Sequence, residues 1–209
     1  MALVFPKTDL IQGLKLRDGW IMPQWRQERS TTAGGQSILK DMGPMLWAAF
    51  YETTAMARDD AIDVETDLMT LQGGINLFEG YDPRRALPKS DDQSVLDGVT
   101  VNAIRSDRLA LRLAGLPAGF EVSKSDYLSI NDGLNLHLLR AATGAVASST
   151  GLSAWFEVRG ALRAGVAVGQ PVKLRYPCAR FMIEKDSISR QRVSEMNDAI
   201  SFSAVQVIL

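Results

Sequence analysis

The segment RLALRLAGLPAGFEVSKSDYLSI, from Arg108 to Ile130, opens on strict alternation. Leu109, Leu111 and Leu113 fall on one side, and Arg108, Ala110 and Arg112 on the other. A period of two predicts a strand with one buried face. Leu116-Pro117-Ala118-Gly119 predicts a turn, since proline fixes its own φ and glycine accepts positive φ. After Ser123-Lys124-Ser125-Asp126 comes a second apolar run, Tyr127 to Ile130. The segment therefore predicts strand, turn, strand. By itself it points to a β-rich assembly module and names no reaction.

Working outward, the chain from Val95 nearly to its end has the same character. Leu134, Leu136 and Leu138 alternate with Asn135, His137 and Leu139, and Asn131-Asp132-Gly133 predicts a hairpin back to the Tyr127 strand. Ala154 to Val158, Val172 to Tyr176, Phe181 to Ile183 and Ile200 to Leu209 supply further short strands. Upstream, Leu14 to Leu16 and Trp20 to Trp25 are candidate strands, and Ser30 to Gln36 is expected to be a flexible loop. Met45 to Tyr51 is apolar and aromatic, which predicts a strand buried on both faces or at an interface.

One segment has a helical period. Ala61, Val64, Leu68 and Leu71 form a single stripe between Asp59 and Gln72, with Asp59 or Asp60 as the expected cap and Gly73-Gly74 as the stop. Ile75 to Glu79 is expected as a strand, followed by a surface excursion at Tyr81-Asp82-Pro83-Arg84-Arg85-Ala86-Leu87-Pro88. The pattern predicts a mainly β fold with one α-helix (α+β), a split β-barrel or sandwich-like module. Residues 1–209 are expected to form a single module, with a possible joint near 89–97 between an N-terminal β-plus-helix part and a C-terminal β part.

Composition narrows the function classes. A chain of 209 residues with 46% hydrophobic and 22% charged residues can bury a core. A net charge of -1 disfavours a nucleic-acid partner and opposes self-association only weakly. The opening MALVFPKTDLIQGLKL has neither a basic start nor a long apolar run, so no secretory leader is expected. No stretch approaches the roughly 20 apolar residues of a membrane span. Synthesis in the cytoplasm is expected.

Candidate sites resolve into ordinary roles. Cys178, the one cysteine, excludes an intrachain disulfide and is expected to be a small buried hydrophobe. Asp59, Asp63 and Asp67 share a helical face with Asp60 and Glu65 nearby; oxygen ligands for a divalent metal are one use, a solvated face the simpler one. His137 is expected to face solvent or a neighbouring subunit. No nucleophile elbow, phosphate loop or dinucleotide fingerprint occurs, and the glycine pairs are expected as turns. Trp20, Trp25, Trp47 and Trp155 suit a β core or a subunit interface, and Met42, Met45, Met56 and Met69 suit packing. Arg84 and Arg85 suit either a partner's phosphate or carboxylate, or a basic turn in solvent. No catalytic residue, metal or cofactor is expected. The candidate interface residues are Trp47, Phe50, Tyr51, Arg84 and Arg85.

GLPAGFEVSKSDYLSI, its preceding strand, the upstream YDPRRALP and GPMLWAAF, the helix and the ending AISFSAVQVIL together resemble small tail proteins of long-tailed bacteriophages and prophages. The group is similar to the distal tail (Dit-type) proteins. The resemblance implies a virion protein that forms a ring, as a homohexamer, joining the tail tube protein to the baseplate hub or tip proteins, with DNA passing through the lumen without specific binding. A tube-end or connector protein is the nearest variant. Two positions depart from the group's pattern: Ser125 stands where a glycine precedes Asp-Tyr-Leu, and Gln206 where an acidic residue is common. The length leaves little room for a carbohydrate-binding extension. The rival classes are a split-barrel enzyme or binding protein holding a ligand such as a flavin, and a sugar-binding sandwich with an exposed aromatic shelf at Trp155 or Trp20.

Overall fold

The computed structural model describes residues 3–90 and 96–209. The chain is mainly β with one helix of any length, and its sheets do not form a closed barrel. The first part runs α1 (Leu10–Gly13), β1 (Leu16–Gln24), β2 (Gln27–Thr31), β3 (Ser37–Asp41), β4 (Leu46–Thr53), β5 (Met56–Ala57), α2 (Arg58–Met69) and β6 (Phe78–Tyr81). The middle part runs β7 (Thr100–Ile104), β8 (Ala110–Ala114), β9 (Glu121–Val122), β10 (Tyr127–Asn131), β11 (Leu136–Ala141), β12 (Ala145–Val146), β13 (Phe156–Arg159) and β14 (Val172–Lys173). The chain then returns through β15 (Cys178–Ile183), β16 (Ser189–Arg192) and β17 (Asn197–Gln206).

These strands make two large antiparallel sheets. The first has the order β1-β4-β17-β15-β6, with β5 and β16 also on β17. The second has the order β14-β10-β11-β13-β8-β7. It curls until its outer strands meet at one end, where the Val172 amide donates to Val99 O at 2.8 Å and the Val101 amide to Gln170 O at 3.0 Å. Leu111, Leu113, Leu128, Ile130, Leu139 and Phe156 fill the curl. The first sheet has its own core of Trp47, Tyr51, Phe78, Phe181 and Phe202, covered by Ala61 and Leu68 of α2. β10 and β11 are the shared wall. Tyr127 and Leu138 face the helix-side core, whereas Leu128, Ile130 and Leu139 face the curl. The expected joint at 89–97 falls largely on residues 91–95, outside the described residues.

The local expectations hold with instructive exceptions. Gly119 has φ +77 and the Phe120 amide donates to Pro117 O at 3.1 Å, so the turn forms as written. The strand before it starts later than the alternation suggests. Arg108 adopts φ +54 in the β7–β8 connection, which leaves Leu109 47% exposed. Its guanidinium meanwhile donates to the carbonyls of Leu162, Arg163 and Val166, tying down the loop that follows β13. The helix stripe is correct: Ala61, Leu68 and Leu71 are fully buried and Val64 packs against them. The cap is not. Ala57 occupies that position without a side-chain bond, and Asp59 and Asp60 sit in the first turn, where the dipole favours carboxylates. β4 is buried on one face only, with Trp47, Ala49, Tyr51 and Thr53 inward. The expected strand at Ile75–Glu79 begins instead at Phe78, and Ile75 is exposed. The 81–88 excursion is tucked in: Asp82 is buried and caps a 3-10 turn by accepting from the Arg84 amide.

Candidate interaction surface

The candidate interface residues divide between core and surface. Trp47 and Tyr51 point into their own subunit's core, where Trp47 Nε1 donates to Leu138 O at 2.7 Å and Tyr51 Oη to Tyr81 O at 3.0 Å. Trp47 thus ties the two sheets together, and Tyr51 ties β4 to β6 within the first. Phe50 lies on the opposite face and stacks on Trp20 with centroids 5.7 Å apart. Register carries this outer face across the sheet: Trp20 opposes Phe50, Met22 opposes Ala48, Ala48 opposes Val205, and Val205 opposes Met182. The result is a strip of half-buried and exposed apolar side chains on the face away from α2.

Arg84 and Arg85 also have roles within the subunit. Arg84 grips Asp18 through Nη2 at 2.6 Å and Nε at 3.1 Å, which holds the Asp18 carboxyl below its ordinary range. Arg85 is half-buried, with its charge acting on Asp126, whose pKa is nonetheless raised by burial. Of the remaining aromatic residues, Trp25 is 61% exposed, and Trp155 is exposed with the Arg112 guanidinium 5.7 Å from its ring centre. Met45 and Met56 pack as expected, but Met42 and Met69 are exposed.

A feature that the sequence reading missed adjoins this strip. Ser30 to Gln36 is the tip of a hairpin, not a free loop. β2 and β3 pair with each other over five positions, Gln27 with Asp41 through Thr31 with Ser37, and among the described residues with no other strand. Thr32 and Gln36 close the tip through backbone and hydroxyl bonds, with Gly35 at φ +81. Every residue from Met22 to Met42 is exposed, including Ile38 and Leu39. The polar composition of Gln27–Thr31 concealed a strand; the Gly34-Gly35 pair at the turn was the available signal.

The titratable candidates are structural. His137 does not face solvent: it is 3% exposed, and its Nε2 lies 2.7 Å from Asp132 Oδ2. β11 is buried on both faces because it separates the two cores, so the polar position of the alternation also turns inward. Burial of Asp132 is opposed by hydrogen bonds from His137 and from the Asn135 and Leu134 amides, which hold its pKa at about 2. Asn135 in the same loop exchanges bonds with the backbone of Leu209. Cys178 is buried and donates to Glu79 Oε2 at 3.5 Å; burial and the adjacent carboxylate push its thiol up to about 12, far from a reactive thiolate. Two of the helix carboxylates have basic partners, Asp67 with Lys7 at 2.7 Å and Glu65 with Arg190 at 3.1 Å. Among the described residues no three His, Cys, Asp or Glu gather as metal ligands, and no helix is long and apolar enough to cross a membrane.

A groove of about 650 Å³ lies where the sheets meet, lined by Glu79, Asp97, Ser129, Lys173, Tyr176 and Cys178 among others. A second groove of about 560 Å³ lies between the N-terminal segment and α2, lined by Pro6, Leu10, Leu14 and Val64 among others. No family model and no curated protein matches the chain.

Proposed function

We propose that the protein is a structural subunit of a phage or prophage tail, a distal tail ring that joins the tail tube to the baseplate hub or tip. The observation that carries this reading is the β2–β3 hairpin, Gln27–Asp41, exposed along its whole length and rooted beside an apolar sheet face. An isolated two-stranded hairpin is marginal in water, and exposed apolar patches mark interaction sites. Both features suit a subunit that is completed by neighbours. The order of motifs shared with distal tail proteins supports the more specific assignment, and the net charge of -1 suits a lumen that passes DNA without gripping it. The mechanism is geometric: one ring face stacks on tube subunits, the other receives hub or tip proteins, and the site of action is the virion tail. The test is particle assembly in a producing strain lacking the protein. Tailless or tip-less particles, restored by the wild-type gene, are expected; normal infectious particles would refute the role.

The groove where the sheets meet supports a second reading, a split-barrel protein that holds a small ligand, because its volume falls within the ordinary range for such sites. Absorbance of the purified protein separates the two where the ligand is a flavin, which would colour the solution yellow.

A further inference from the structure

We propose that the β2–β3 hairpin of one subunit lies across the outer apolar face of the first sheet in the next copy of this chain. The starting point is that neither surface is satisfied within one subunit. The hairpin leaves the end of β1 at the margin of that face, yet it does not fold back on it, since residues 22–42 are all exposed. Ile38 and Leu39, at 57% and 60% exposure, sit next to each other in β3 and so lie on opposite faces of the hairpin. One face can thus rest on a sheet while the other is covered by a further element of the assembly. On the receiving side, Trp20, Phe50, Val205 and Met182 belong to three adjacent strands and the edge strand β1, which gives a continuous bed and not scattered residues.

Size and symmetry favour a second copy as the occupant. A stable interface takes roughly 20–30 residues a side, and the hairpin Gln27–Asp41 supplies a large share of one side in a single projection. The hairpin and the bed are different patches of the same chain, so their union is a heterologous, head-to-tail contact. Such contacts propagate from copy to copy and close into a ring when the rotation permits. With a net charge of -1 per chain, repulsion between copies is small. The inference rests on the ring reading only in its assumption of self-assembly.

Three full-length proteins test it by sedimentation and by circular dichroism: wild type, Ile38→Glu with Leu39→Glu, and Met182→Glu. All three substituted positions are exposed in the subunit, so each variant should keep the wild-type fold by circular dichroism. The wild type is expected to assemble, and each variant to sediment as a monomer at the same concentration. Mixed at concentrations well above that point, the variants should give a species of two chains, because one keeps its bed and the other its hairpin. An oligomeric wild type whose hairpin variant assembles equally well would overturn this inference and leave the ring reading standing. So would a mixture that stays monomeric, or a Met182→Glu variant that assembles normally. A wild type that is monomeric at every concentration would overturn both.

Discussion

Ser125 occupies a backbone conformation that costs an L-residue energy, with φ +78 in the turn between β9 and β10. Its amide still donates to Ala141 O at 2.8 Å, so the turn is retained despite the strain. Glycine would adopt this φ freely and lose more entropy on folding, and the first effect is the larger. Ser125→Gly should therefore stabilise the protein by about 0.5–1 kcal/mol, read from urea unfolding. A second prediction concerns Asp132. Its folded pKa, about 2, lies below its ordinary 3.8, so the carboxylate contributes stability above that ordinary value and loses it as pH falls towards 2. The advantage of wild type over Asp132→Asn in urea should shrink across that window; an advantage that stays constant would remove the Asp132–His137 contact from the energetics. Cys178 supplies a third. With its thiol pushed up to about 12, native alkylation should be slow and should accelerate only on unfolding.

At the scale of elements, the period of the α2 stripe was legible because it buries one chemically uniform face. Leu68 shows the worth of that stripe: it is fully buried between α2 and the first sheet. Leu68→Ala should cost about 2–5 kcal/mol, and Leu68→Asp should leave the protein unfolded or insoluble. A folded, assembling Leu68→Asp variant would show that α2 does not pack as described. Elements without a uniform face were harder to read. β11 separates two cores, so His137 is buried where alternation predicts solvent. β2 and β3 bury nothing within the subunit, so no hydrophobic pattern marks them and the hairpin reads as a loop. Two of the interface candidates, Trp47 and Tyr51, are buried in the subunit's own core. Sequence placed Trp47 to Tyr51 on a strand correctly, but the inward half of that strand serves the subunit's own core and only the outward half is available to a partner.

For the whole molecule, the feature that matters is that β15 to β17 return to the first sheet after the second has been built, with β10 and β11 bonded into the common wall. Trp47 Nε1 to Leu138 O and Tyr127 Oη to Ile21 O, at 2.7 and 3.2 Å, cross between the sheets. The two large sheets are thereby held as one body, with the outer strip on the face away from α2. The groove and the strip imply different molecules, one that binds a ligand and one that binds copies of itself. Electron micrographs of the purified, untagged full-length protein decide between them most directly. Assembly predicts rings with an open centre, of about six copies of the 22.9 kDa chain. Uniform compact particles of single-chain size would contradict it.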